Sequence, residues 1–172
     1  MTPGFGNEVG GGKSHLEIVR KAGGIMSSKE WLQLAKEAQK EGLLDKALEY
    51  YGQALQECLG AYGEFHPEVS FIYNYIGGIY FKRTDYLQAG QYMQLALKGF
   101  HRVCNPDHPL LAQSYNNLGL VMTAKGDYDE AIQYFERALQ IAGRAGMEEL
   151  RAAVEKRIDS LFARMRPQKA IA

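Results

Sequence analysis

The sequence predicts an all-α fold: an α-solenoid of three helix pairs, with one further helix capping its C-terminal end. Three observations predict it. Segments opening at Trp31, Tyr73 and Tyr115 repeat at an offset of 42 residues both times, with no gap inside the aligned windows. Within each segment apolar residues recur at helical spacing and never in strand-like alternation. After the third segment comes one more amphipathic stretch, placed where a repeat stack would otherwise leave its last apolar face bare.

Taken in order, residues 1–26 form a glycine-rich leader in which a short helix is expected from Ser14 to Lys21, broken by Gly23-Gly24. Ser27 and Glu30 have the spacing of a capping box and start the first helix. The repeats then run over about 27–66, 67–108 and 109–146. Equivalent positions carry equivalent sizes. Ala35, Gly77 and Gly119 are small, as are Ala47, Ala89 and Ala131, and Ala54, Ala96 and Ala138; Tyr51, Met93 and Phe135 are large. Knobs and holes at fixed places are what two antiparallel helices need to approach closely. In the third repeat Tyr115, Leu118 and Met122, then Ala131, Phe135, Ala138 and Leu139, each make one apolar stripe. Gly42-Leu43, Thr84-Asp85 and Gly126-Asp127 are the predicted turns between partners, glycine accepting the left-handed ending and Asp capping the next helix. Thr84 departs from that pattern. A capping helix is expected over 147–166, with Leu150, Val154, Ile158, Leu161 and Phe162 on one side; Arg166-Pro167 ends it and 167–172 form a tail.

Here the chain resembles the tetratricopeptide-repeat (TPR) family. The opening aromatic–x2–L–G pattern and the later A–x3–F–x2–A of Ala131, Phe135 and Ala138 carry the likeness. The 42-residue period, together with His66-Pro67 and His108-Pro109 near the repeat starts, resembles the repeats of kinesin light chain. The phrase DHPLLAQSYNNLGLVMTAKGDYDEAIQYFERAL is the most specific part, and the likeness covers about residues 27–142, with the first repeat the most degenerate. It implies a right-handed α-solenoid whose concave groove is lined from the first helix of each repeat. Carried over position by position, that groove takes Lys29, Gln33, Lys36, Gln39 and Lys40 from the first repeat. It takes Phe71, Asn74, Tyr75, Phe81 and Lys82 from the second, and Gln113, Asn116, Asn117 and Leu120 from the third. No Asp or Glu falls in this set. Amides can bond a peptide backbone, aromatics can take apolar side chains and lysines favour acidic ones. The resemblance singles out Asn117 as the backbone contact. It does not extend to the clamp with which some TPR domains grip a chaperone's C-terminal carboxylate: Leu32, Lys36, Tyr75, Gln113 and Asn117 stand where that clamp has other residues.

Composition narrows the function classes. Among 172 residues, 46% are apolar and 23% charged, so a packed core is expected. Lys+Arg and Asp+Glu are both 20, which disfavours nucleic acid as the main partner. No apolar run reaches the ~18 residues that span a bilayer, and no apolar leader opens the chain. A cytoplasmic protein is expected, with cytoskeleton or cilium as the alternative. Cys58 and Cys104 are read as packing residues, and neither lies at metal-ligand spacing to a histidine. His66 and His108 are read as caps of the helices behind them. Gly10-Gly11-Gly12-Lys13-Ser14 lacks the glycine a phosphate loop needs, since Asn7 holds that place. No nucleophile sits beside a base and orienter, so no catalytic residue, cofactor or metal is assigned. The excess of six Lys/Arg over two Asp/Glu in residues 151–172 is read as a solvated tail, with contact to an acidic partner as the alternative.

The expected function is a non-catalytic adaptor that holds an extended, acidic and aromatic-containing protein segment in the groove. Its rival is permanent incorporation into a larger cytoskeletal, axonemal or organellar complex. Ten Tyr and Phe within residues 62–100 favour the rival. Self-association through a terminal helix stays open.

Overall fold

A computed structural model describes residues 26–165; the expected leader helix, the Arg166-Pro167 stop and the tail lie outside them. Seven helices and no strands make up the described residues: α1 (Ser28–Lys40), α2 (Leu44–Tyr62), α3 (Pro67–Lys82), α4 (Tyr86–Val103), α5 (Pro109–Lys125), α6 (Tyr128–Arg144) and α7 (Glu148–Met165). Extensive contacts join only helices adjacent in sequence, and those within the pairs α1–α2, α3–α4 and α5–α6 are broader than those between pairs. The fold is therefore an all-α solenoid, with α7 laid over the last pair.

The local chemistry explains each start and stop. Ser27 caps α1 through a complete box: its Oγ accepts from Glu30 N–H at 3.4 Å, while its own N–H donates to Glu30 Oε2 at 2.8 Å. His66 and His108 cap α3 and α5 with Nδ1, accepting from Glu68 N–H at 3.3 Å and from Leu110 N–H at 3.2 Å. Pro67 and Pro109 follow, where a missing N–H costs nothing. The turns inside the pairs share one shape. Gly42, Thr84 and Gly126 adopt left-handed φ values of 77°, 61° and 89°. The next residue in each case returns its N–H to the carbonyl five back: Leu43 to Ala38, Asp85 to Tyr80, Asp127 to Met122. Thr84 thus adopts the glycine conformation despite its Cβ. Asp85 caps α4 by accepting from Gln88 N–H at 3.1 Å, but Asp127 makes no capping bond and instead pairs with Lys125 at 2.6 Å.

The small positions let the helices close. Ala35, Ala47, Ala54, Ala89, Ala96, Ala131 and Ala138 are all 0% exposed, and Tyr51 and Phe135 are sealed between them. On α7, Val154 and Leu161 are buried and Leu150 and Ile158 pack against the same cluster as Phe135. Phe162, expected on that side, is 48% exposed, because eight residues at 100° each carry it about 80° around the helix from Val154. Cys58 is buried with Sγ 3.6 Å from Glu68 Oε2, and burial pushes its thiol up, as it does that of Cys104; both are free. No described helix is long and apolar enough to cross a membrane, and no group of three or more possible metal ligands occurs among the described residues.

Candidate functional site

The first helices of successive pairs, α1, α3 and α5, run side by side and leave a chain of connected cavities along one face. The first, about 450 Å³, lies between α1 and α3. Gln33, Lys36 and Lys40 reach it from α1, Tyr75 and Lys82 from α3. Its floor is aromatic: Tyr75 stacks on Tyr51 with centroids 5.3 Å apart and planes 14° off parallel. Tyr51 donates its hydroxyl to Gln39 Oε1 at 2.9 Å, and burial pushes its phenol far above the usual range, so it stays a neutral donor. Lys36 Nζ lies 5.3 Å from the centre of the Tyr75 ring, which fixes an ammonium on the floor's outer face.

The second cavity, about 250 Å³, shares Gln39 and Tyr75 with the first and continues between α3 and α5 past Asn74, Phe81, Asn117 and Leu120. Asn117 Nδ2 donates to Asn74 Oδ1 at 3.2 Å. That bond uses half of each amide. Asn74 Nδ2 and Asn117 Oδ1 remain, a donor and an acceptor side by side, matching the C=O and N–H of a peptide group. Gly78 keeps this stretch open, since nothing lies within 4 Å of where its Cβ would be.

The third cavity, about 370 Å³, shares Leu120 with the second and lies between α5, α6 and α7. Phe135 and Leu161 floor it, and Lys156, Arg157 and Arg164 reach it from α7. These α7 residues were not among those expected in the groove. The signal for them was the basic excess after residue 151, which pattern alone does not separate from a solvated tail.

Of the residues expected in the groove, Gln33, Lys36, Gln39, Lys40, Asn74, Tyr75, Phe81, Lys82, Asn117 and Leu120 line the first two cavities. Lys29 and Gln113 are exposed but line none of the cavities described. Phe71 packs edge-on against Phe100, with centroids 5.0 Å apart. Two expectations need correction. Asn116 does not stand in the groove: it is 8% exposed, and its Oδ1 has no hydrogen-bond partner among the described residues. The groove is also not free of acids. Glu37 lines the first cavity and accepts from Gln33 Nε2 at 2.7 Å, because one helical turn places it beside Gln33.

Comparison with known proteins bears on the fold. Residues 68–144, spanning α3 to α6, match the family model of the tetratricopeptide repeat. No curated protein matches the chain by sequence. Among solved structures, the putative kinesin light chain, nearly identical TPR-like repeats, of Podosopora anserina superposes with a TM-score of 0.71 at 16% identity, over 86% of this chain and 73% of that one. BtubC (BKLC) of P. vanneervenii gives 0.65 at 22% identity, over 89% and 72%. The N-terminal domain of stress-induced protein-1 of C. elegans gives 0.61 at 19% identity, over 78% and 93%. At these identities the likeness is one of fold. The tetratricopeptide-repeat match covers α3 to α6, and along most of the described length the chain shares the all-α repeat fold of these solved structures.

Proposed function

We propose that the chain is a non-catalytic adaptor that binds an extended segment of a protein partner in the groove along α1, α3 and α5. The observation that carries this reading is the Asn74–Asn117 pair, which leaves one donor and one acceptor at the wall of an open cavity with an aromatic floor beside it. A peptide backbone meets the amides, apolar side chains meet Tyr75, Phe81 and Leu120, and Lys36, Lys40 and Lys82 favour acidic neighbours. Glu37 tempers that charge preference at the α1 end.

Fluorescence anisotropy with labelled acidic, aromatic-containing peptides tests the reading. Asn117→Ala removes the acceptor and frees Asn74 from its partner, a loss of about 1 kcal/mol or five- to tenfold in affinity. Lys36→Glu lowers affinity by about tenfold and reduces its dependence on salt. Peptide binding that ignores both substitutions sinks the assignment. The rival reading, permanent incorporation into an assembly, draws on Leu87, Tyr62 and Val103, which are 65%, 55% and 46% exposed. A partner that co-purifies in fixed stoichiometry with both groove variants would favour it.

A further inference from the structure

We infer that the cavity between α5, α6 and α7 is the anion-selecting end of the groove, taking an Asp or Glu side chain of the bound segment beside one of its apolar side chains; this rests on the peptide-groove reading above. The floor and the rim have opposite characters. Phe135 and Leu161, 1% and 2% exposed, form an apolar base with Leu120. Lys156, Arg157 and Arg164 stand around it, and no carboxylate lines the cavity. None of these three cations is in an ion pair among the described residues. Arg164 leans over Tyr128, with its guanidinium carbon 5.9 Å from the ring centre, which holds it at the rim.

Arg157 is the sharpest feature. Its Nη1 is buried without a hydrogen-bond partner among the described residues. A buried guanidinium nitrogen left unpaired is costly, and a turn of the Arg157 side chain towards a carboxylate entering the cavity would satisfy it with a charge-assisted bond. The α1 end of the groove differs, for there Glu37 shares the wall with the lysines. Charge complementarity therefore places the acidic side chain at α7. Leu120, common to this cavity and the one beside Asn117, lets a segment held by the amides run on into it. The occupant is then an aliphatic or aromatic side chain on the Phe135–Leu161 floor, with an acidic residue next to it.

The test uses the full chain and two synthetic fluorescein-labelled dodecapeptides, alike except that one ends in Leu-Asp-Glu and its twin in Leu-Asn-Gln. Anisotropy is expected to show the acidic peptide binding about tenfold tighter than the twin. Lys156→Glu combined with Arg164→Glu removes that difference; both residues are exposed, so the fold tolerates the change. Arg157→Gln acts in the same direction, and Lys36→Glu leaves the difference in place. Equal binding of the two peptides by the wild type, or a preference that survives the double substitution, overturns the α7 assignment while the groove reading stands. Failure of both peptides to bind overturns the groove reading and this one with it.

Discussion

The second and third helix pairs occupy the same slots 42 residues apart and fill them differently. In the α3–α4 pair the hole is Gly77 and the knob Met93; in the α5–α6 pair they are Gly119 and Phe135. The turn is Thr84 in one and Gly126 in the other, both left-handed, at φ 61° and 89°. Towards the groove, Asn74 is half-buried and bonded to Asn117, whereas its counterpart Asn116 is buried with an unpartnered oxygen. Tyr75 stacks on Tyr51, whereas its counterpart Asn117 offers an amide. The repeat constrains size where helix meets helix, because interiors are close-packed. It leaves polarity free where a helix meets the groove, and side-chain chemistry can vary there without unsettling the stack.

The largest test of this contrast is to enlarge both holes. A Cβ on Gly119 would lie 2.5 Å from the nearest atom of the Phe135 ring, a rigid knob that is 1% exposed. A Cβ on Gly77 would lie 2.8 Å from Met93 Cγ, on a flexible chain, with Ala89 O behind it at 3.2 Å. Overpacking costs about 1–3 kcal/mol and helix propensity returns up to about 1 kcal/mol. Gly119→Ala is expected to lose about 1–2 kcal/mol in urea denaturation and Gly77→Ala about half as much. A Gly77→Ala loss equal to or above that of Gly119→Ala would show that backbone approach, not the knob, sets the limit.

The next test reverses the sign. Gly78 follows Gly77 directly, yet nothing lies within 4 Å of its would-be Cβ. Gly78→Ala therefore gains up to about 1 kcal/mol from helix propensity alone. The same methyl projects into the cavity beside Asn117, so peptide affinity should fall while the denaturation midpoint rises. A midpoint that falls would mean that the backbone there needs the freedom of glycine.

Much of this fold was legible because helix contacts are local in sequence. Size alternation at Ala35/Gly77/Gly119 and Tyr51/Met93/Phe135, the Ser27–Glu30 box and the two His-Pro caps all depend on residues within one or two helices. The groove was legible in part. Lys36, Tyr75 and Asn117 came through by position, but Glu37 and Asn116 did not, since a residue near the edge of a helical face turns inward or outward with the angle between successive pairs. That angle is a property of the whole stack. The α7 cavity was hidden for a further reason: α7 has no partner helix among the described residues, so no repeat register indicates which of its cations face Phe135.

The smallest test concerns the turn. Thr84 is a β-branched residue at φ 61°, a conformation that costs an L-residue about 1–2 kcal/mol, while Gly42 and Gly126 hold equivalent positions without that strain. Thr84→Gly relieves it, but enlarges the freedom of the unfolded chain and deletes the 2.6 Å bond from Thr84 Oγ1 to Arg83 O. That bond is exposed, so its loss is slight. The net expectation is a gain of about 0.5 kcal/mol, read as a small rise in urea midpoint with an unchanged slope. The flanking bonds, Thr84 N–H to Phe81 O and Asp85 N–H to Tyr80 O, involve backbone alone and survive the change. A fall in midpoint would mean that the threonine side chain stabilises this turn by more than its backbone strain costs, and the second repeat would then differ from the third in how it turns as well as in what it presents to the groove.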